Sequence, residues 1–174
     1  MKKIMLGSVL LLTGCNNCYD TAHSDVYLTT NTGTEQKIGE VSFKDTPSGL
    51  LVKVDLKNLP VGEHGFHIHE NPDCGALVDF DGTIKPALKA GGHYDPDKTG
   101  RHLGPNNPDG HKGDLPVLNV SADGTVNTSF AVPNLKVQEI KNRSIMIHAG
   151  GDNYSDEPTA LGGGGARIAC GVIK

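Results

Sequence analysis

A chain of 174 residues is long enough for one domain with a real hydrophobic core and too short to expect two. The formal charge of −4 and the lack of any Lys/Arg-rich run exclude a nucleic-acid surface. Beyond the first 15 residues nothing is apolar for long enough to span a bilayer.

The N-terminus predicts export. Met1, Lys2 and Lys3 form a short positive region, and Ile4 to Leu12 is an apolar stretch of signal-peptide length. Leu12-Thr13-Gly14-Cys15 is similar to a bacterial lipobox, which would make Cys15 the lipidated first residue. An ordinary cleaved signal, with Cys15 free to pair with Cys18, is the alternative. Either way residues 1–14 are expected to be removed and 15–24 to form a polar tether, leaving a domain over 25–174. Loss of Lys2 and Lys3 takes the formal charge from −4 to −6. The other two cysteines, Cys74 and Cys170, fall in the folded part; an oxidising compartment favours pairing them, but spacing does not prove the pair.

Period-two alternation dominates the remainder of the chain. Leu50, Val52, Val54 and Leu56 alternate with Leu51, Lys53, Asp55 and Lys57, the pattern of a half-buried strand. Similar runs occupy 25–30, 36–43, 63–69, 115–120, 124–132, 143–148 and 166–173. Only 134–141 looks weakly helical. Twenty-three Gly and ten Pro supply turn signals between many of these runs. Eight short strands without a long helix predict an all-β antiparallel sandwich or barrel. Two long connections, 70–114 and 149–165, interrupt it. They hold few apolar residues, so they need a source of order other than burial.

The histidines offer one. In Gly65-Phe66-His67-Ile68-His69-Glu70, both imidazoles project from one face of a strand and Phe66 and Ile68 from the other, toward the core. His93, His102, His111 and Asp114 lie further along, on the first long connection. Three imidazoles and a carboxylate suit a closed tetrahedral zinc site, and binding would order the loop directly. His23 and His64 are expected at surface positions, in the tether and in a Gly-bounded turn.

Five segments then carry a resemblance: GFHIHE at 65–70, AGGHYDP at 90–96, HLGP at 102–105, GHKGDLP at 110–116 and GGGGARIACGVI at 162–173. Together they resemble the copper/zinc superoxide dismutases, nearest to the bacterial periplasmic branch, from about residue 36 to the C-terminus. The resemblance implies an eight-stranded Greek-key barrel with two long functional loops. Carried over position by position, it implies copper ligands at His67, His69, His93 and His148, and zinc ligands at His93, His102, His111 and Asp114. His93 would bridge one copper and one zinc per chain. An all-imidazole set suits copper and the mixed set suits zinc. The carboxylate that links ligand imidazoles falls on Asp152, with Asp156 close by. Arg167 matches the anion-guiding arginine, and with His93 it is expected to take part in the reaction. Cys74 and Cys170 match the family's disulfide, worth about 4–5 kcal/mol for a loop of this length in the chain-entropy account.

The implied activity is dismutation of superoxide to oxygen and hydrogen peroxide in the periplasm, as a defence against extracytoplasmic superoxide. Membrane contact is expected only through a lipid anchor at Cys15. The length of 74–90 resembles that of dimeric relatives, so a homodimer is expected. Lys85, Lys89 and Lys112 are further candidates for attracting the anion. Rival readings fit less well. A copper-delivery protein would favour Met or Cys donors, and the methionines are only Met1, Met5 and Met146. A zinc hydrolase needs an open position that four protein ligands at 93–114 do not leave. A binding domain without activity would be expected to lack a copper ligand or Arg167, and all are present.

Overall fold

The structure is a computed structural model and describes residues 19–174. The expected signal segment, Cys15 and Cys18 lie outside the described residues. Among those described, eleven strands form: β1 (Thr21–Thr30), β2 (Gly33–Thr46), β3 (Gly49–Leu56), β4 (Gly62–His64), β5 (Phe66–His69), β6 (Leu77–Val78), β7 (Ile84–Lys85), β8 (Leu118–Val120), β9 (Val126–Val132), β10 (Ser144–His148) and β11 (Arg167–Val172). Seven make one curled antiparallel sheet in the order β5-β10-β11-β1-β2-β3-β9, with β4–β8 and β6–β7 as separate pairs. β1, β2 and β3 form a meander. The chain then crosses from β3 near one edge to β5 at the other, as a Greek-key arrangement requires. The weakly helical stretch contains the short helix α1 (Val137–Ile140), the one α-helix among the described residues.

All eight expected strands are present, with three differences. β1 starts at Thr21, so residues 21–24, read as tether, belong to the sheet. Thr21 pairs with Lys44, and Ala22, Ser24 and Val26 point inward. The inward face there is too sparsely apolar to be legible as a strand. The expected run 63–69 is two strands divided at Gly65, whose backbone turns to Gly150 and His148. The first long connection also carries the small hairpin β6–β7.

The alternation in β3 does what its pattern predicts: Leu50, Val52, Val54 and Leu56 are buried in one core with Phe43, Phe66 and Ile68. Burying side chains of this kind contributes about 1.5–3 kcal/mol each. The 70–114 connection is anchored along the free edge of β5. Ile68 N–H donates to Gly113 O (2.9 Å) and Tyr94 N–H to Ile68 O (2.8 Å), while Leu115 N–H donates to Phe66 O (3.2 Å). A Cβ at Gly113 would lie 2.3 Å from Ile68 O, so only glycine permits this approach. The disulfide Cys74–Cys170, with Cα atoms 5.8 Å apart, ties the same connection to β11.

Candidate metal centre

The outer face of β5 delivers His67 and His69 under the loops, and both are buried. β10 pairs with β5 and ends at His148. Backbone bridges bring His93 opposite His69 and Asp114 opposite His67. The result is a cluster of imidazoles in which His67 and His93 stack with centroids 4.0 Å apart.

Two sets of four donors, each within 4.8 Å of one another, emerge: His67, His69, His93 and His148; and His67, His93, His102 and Asp114. The first is the four residues expected for copper. The second holds three of the four expected for zinc, with His67 in place of His111. His111 is nevertheless adjacent, its Nδ1 3.5 Å from Asp114 Oδ1. His93 Nδ1 lies 2.9 Å from the same oxygen. His102 Nδ1 lies 2.9 Å from Asp114 Oδ2 without hydrogen-bond alignment.

For four of the rings a partner on the far side settles which nitrogen is free. His69 Nδ1–H donates to Gly91 O (2.9 Å) and His148 Nδ1–H to Gly165 O (3.2 Å). Asp152 accepts from His67 Nε2 through one oxygen and from His102 Nε2 through the other, both at 2.7 Å. Partners of this kind fix tautomer and orientation. They leave His67 Nδ1, His69 Nε2, His93 Nε2, His102 Nδ1, His111 Nδ1, His148 Nε2 and Asp114 Oδ2 buried without a partner. At about 1–3 kcal/mol apiece, seven such atoms would cost on the order of 10 kcal/mol, as much as a typical domain's whole stability. Bound metal ions remove that cost, and imidazole and carboxylate donors fit copper and zinc.

Electrostatics match. Burial holds His148 down to about 3 and His93 to about 4, and His69 well below its ordinary value. These rings stay neutral and need lose no proton to bind a metal. His102 is also penalised by burial, but Asp114 and Asp152 outweigh it and raise the ring to about 9. Burial works against the charge of Asp114 and Asp152 too, yet the neighbouring histidines hold both carboxylates below the usual range.

Comparison with known proteins agrees. A model of the family described as copper/zinc superoxide dismutase (SODC) matches residues 37–173. The chain belongs to the copper/zinc superoxide dismutase family. It is 49% identical over 175 residues to the Cu-Zn superoxide dismutase of Brucella abortus biovar 1 (strain 9-941), covering 100% of both chains. Among solved structures it is similar to the Cu/Zn superoxide dismutase from Brucella abortus, with TM-score 0.85 and 52% identity, covering 89% of this chain and 100% of that one. It is also similar to the monomeric copper, zinc superoxide dismutase from Salmonella enterica, with TM-score 0.78 and 49% identity at the same coverage. Copper and zinc are therefore the cofactors of this fold, and the two donor sets have the chemistry to hold them.

Arg167 opens β11 opposite His148, and its guanidinium donates to Ala87 O and Gly91 O, both at 2.7 Å. Gly91 O thus receives both Arg167 and His69. Of the lysines, Lys112 pairs with Glu139 and Lys85 with Asp81, so neither presents a free charge.

Sequence reasoning missed three features. His64 is not on the surface: it is buried, with Nδ1 2.7 Å from His148 O and Nε2 2.8 Å from Pro60 O. It pins the end of β10 to the β3–β4 connection, and nothing in its Gly-bounded context signalled that. Asp156 is distinct from Asp152, accepting from the backbone N–H of His102 (2.9 Å) rather than from a ring. The carbonyl acceptors Gly91 and Gly165 carry no side-chain signature. At Gly162, a Cβ would lie 1.9 Å from Asp152 Oδ1, so the glycine run leaves room for the bridging carboxylate.

Proposed function

We propose that this chain dismutates superoxide to oxygen and hydrogen peroxide in the periplasm, as a defence against extracytoplasmic superoxide. The observation that carries the reading is the set of four converging, unpartnered imidazole nitrogens on His67, His69, His93 and His148. Those four would hold copper, and His93, His102, His111 and Asp114 would hold zinc. When bound, copper supplies a one-electron couple that oxidises one superoxide and reduces the next, while zinc has no redox chemistry.

The residues supply the rest. His93 has Nε2 facing one set and Nδ1 facing Asp114 in the other, so it can serve both, and Nε2 can hold a proton between turnovers. Asp152 keeps His67 and His102 in register. Arg167, held beside His69 and His148, puts a fixed positive charge where a small anion must arrive, against a net negative chain.

Metal analysis and a superoxide dismutation assay on the exported protein test this reading. It requires about one copper and one zinc per chain, and activity lost on chelation and restored by copper. A fully metal-loaded protein without activity would overturn it.

A lipid anchor at Cys15 and a homodimer belong to the same proposal. Leu77, Val78, Phe80 and Ile84 on the β6–β7 hairpin are exposed apolar side chains, which supports association with a second copy there. Cys15→Ala should move the protein from the membrane fraction to the soluble periplasm with unchanged specific activity. Phe80→Asp should convert a dimer to a monomer in sedimentation. A soluble or monomeric wild type would remove the corresponding part.

A further inference from the structure

Six imidazoles gather at the two donor sets. Four are tied by a ring nitrogen to a group outside those sets, His67 and His102 to Asp152, His69 to Gly91 O and His148 to Gly165 O, and a fifth, His93, faces Asp114, a fellow zinc donor. His111 is the sixth. Its Nδ1 is buried without a hydrogen bond, and its nearest polar neighbour is Asp114 Oδ1 at 3.5 Å. It is also the most accessible of the four residues assigned to zinc, at 9% exposure against 5% for His93, 1% for Asp114 and 0% for His102.

His111 lines a cleft of about 420 Å³, together with Asp97, Asn106, Asn107, Lys112 and Asn134; the other three zinc residues do not reach it. A water occupies about 30 Å³ in the liquid, so the cleft has room for an ion with its hydration shell. Its lining is part polar and part apolar, with Val132 and Leu135 on the apolar part, and the polar part can meet a divalent cation. Asp97 contributes a carboxylate and Asn106 an amide, hard donors of the kind a hydrated cation accepts, while Asn107 Oδ1 already accepts from the backbone N–H of Asp109. The ammonium of Lys112 is taken up by Glu139 and does not oppose entry.

We propose that this cleft is the route by which zinc reaches and leaves its site, and that His111 is the gate. The ring with no tether turns outward to take the ion and turns back against Asp114 to deliver it. His102 stays where Asp152 holds it, and His93 and Asp114 stay where their backbone bridges to β5 hold them. The inference rests on His93, His102, His111 and Asp114 being the zinc set.

Zinc transfer in copper-loaded protein tests it, with release followed into excess chelator and uptake followed from free Zn²⁺. Asn134→Trp obstructs the cleft without touching a donor. A barrier on the path is crossed in both directions, so uptake and release should both slow by about tenfold or more and by the same factor. Zinc affinity, copper uptake and the melting temperature of the loaded protein should not change. Unaltered zinc rates, or one altered rate with a shifted affinity, would overturn the portal. Asp97→Asn is the second variant, at an exposed position. It should slow uptake by roughly twofold or more at low salt and lose the effect at about 0.15 M, where screening shortens to about 8 Å. Equal uptake by Asp97→Asn and wild type at low salt would count against the portal. A wild type that binds no zinc would sink the ligand assignment itself, whereas bound zinc with cleft-independent rates would sink only the route.

Discussion

The two faces of β5 are ordered by different physics. Inward, Phe66 and Ile68 join an apolar core that needs nothing but exclusion of water. Outward, within the same four residues, His67 and His69 enter a buried polar cluster that is costly until metal ions satisfy it. The inner face should therefore be stable by itself. The outer face, and the connections docked on it, should depend on what is bound.

The largest expected effect breaks the outer face alone. His148→Ala should abolish copper binding and dismutation while zinc stays bound, read by metal analysis alongside the assay. Loss of zinc with copper retained would reverse the assignment of the two sets.

Next in size is the inner face. Phe66→Ala should destabilise the protein by about 3–5 kcal/mol, and by similar amounts with and without metals, in paired denaturant titrations. Asp114→Ala, by contrast, should lower the stability of zinc-loaded protein while costing the metal-free protein little, because its partners are imidazoles of the donor sets rather than core. If both variants responded alike to metal removal, the contrast between the faces would fail.

Asp152 sharpens the comparison, since it holds donors without joining either set. Asp152→Ala should weaken metal affinity by about 10–100-fold, the usual scale for a group that orients ligands, measured by competition with a chelator. Undiminished affinity would mean that packing alone aims His67 and His102.

Arg167 gives the smallest effect. Arg167→Glu should lower the second-order rate by roughly tenfold with both metals retained, the modest end of electrostatic steering. The wild-type rate should fall as salt rises from about 0.01 to 0.15 M and screening shortens from about 30 to 8 Å, and the variant should lose or invert that slope. Matching salt slopes would remove Arg167 as the guide.

Much of this was legible without coordinates because it depends on local periodicity. Alternation in 50–57 placed the core side of β3, and the i, i+2 spacing of His67 and His69 put both rings on one face opposite Phe66 and Ile68. The ordered motifs from GFHIHE to GGGGARIACGVI carried the family, and with it the donor residues. Only the tertiary structure decided what depends on contacts between distant segments. It extended β1 back to Thr21, because pairing with β2 compensates for a weak apolar pattern. It divided 63–69 at Gly65, because the backbone there serves two neighbours. It buried His64 behind His148, separated the work of Asp152 from that of Asp156, and left His111 as the one untethered ring. Hydrogen bonds to carbonyls and carboxylates 17 to 85 positions away choose the tautomers of His67, His69, His102 and His148, and no local spacing encodes a partner at that distance.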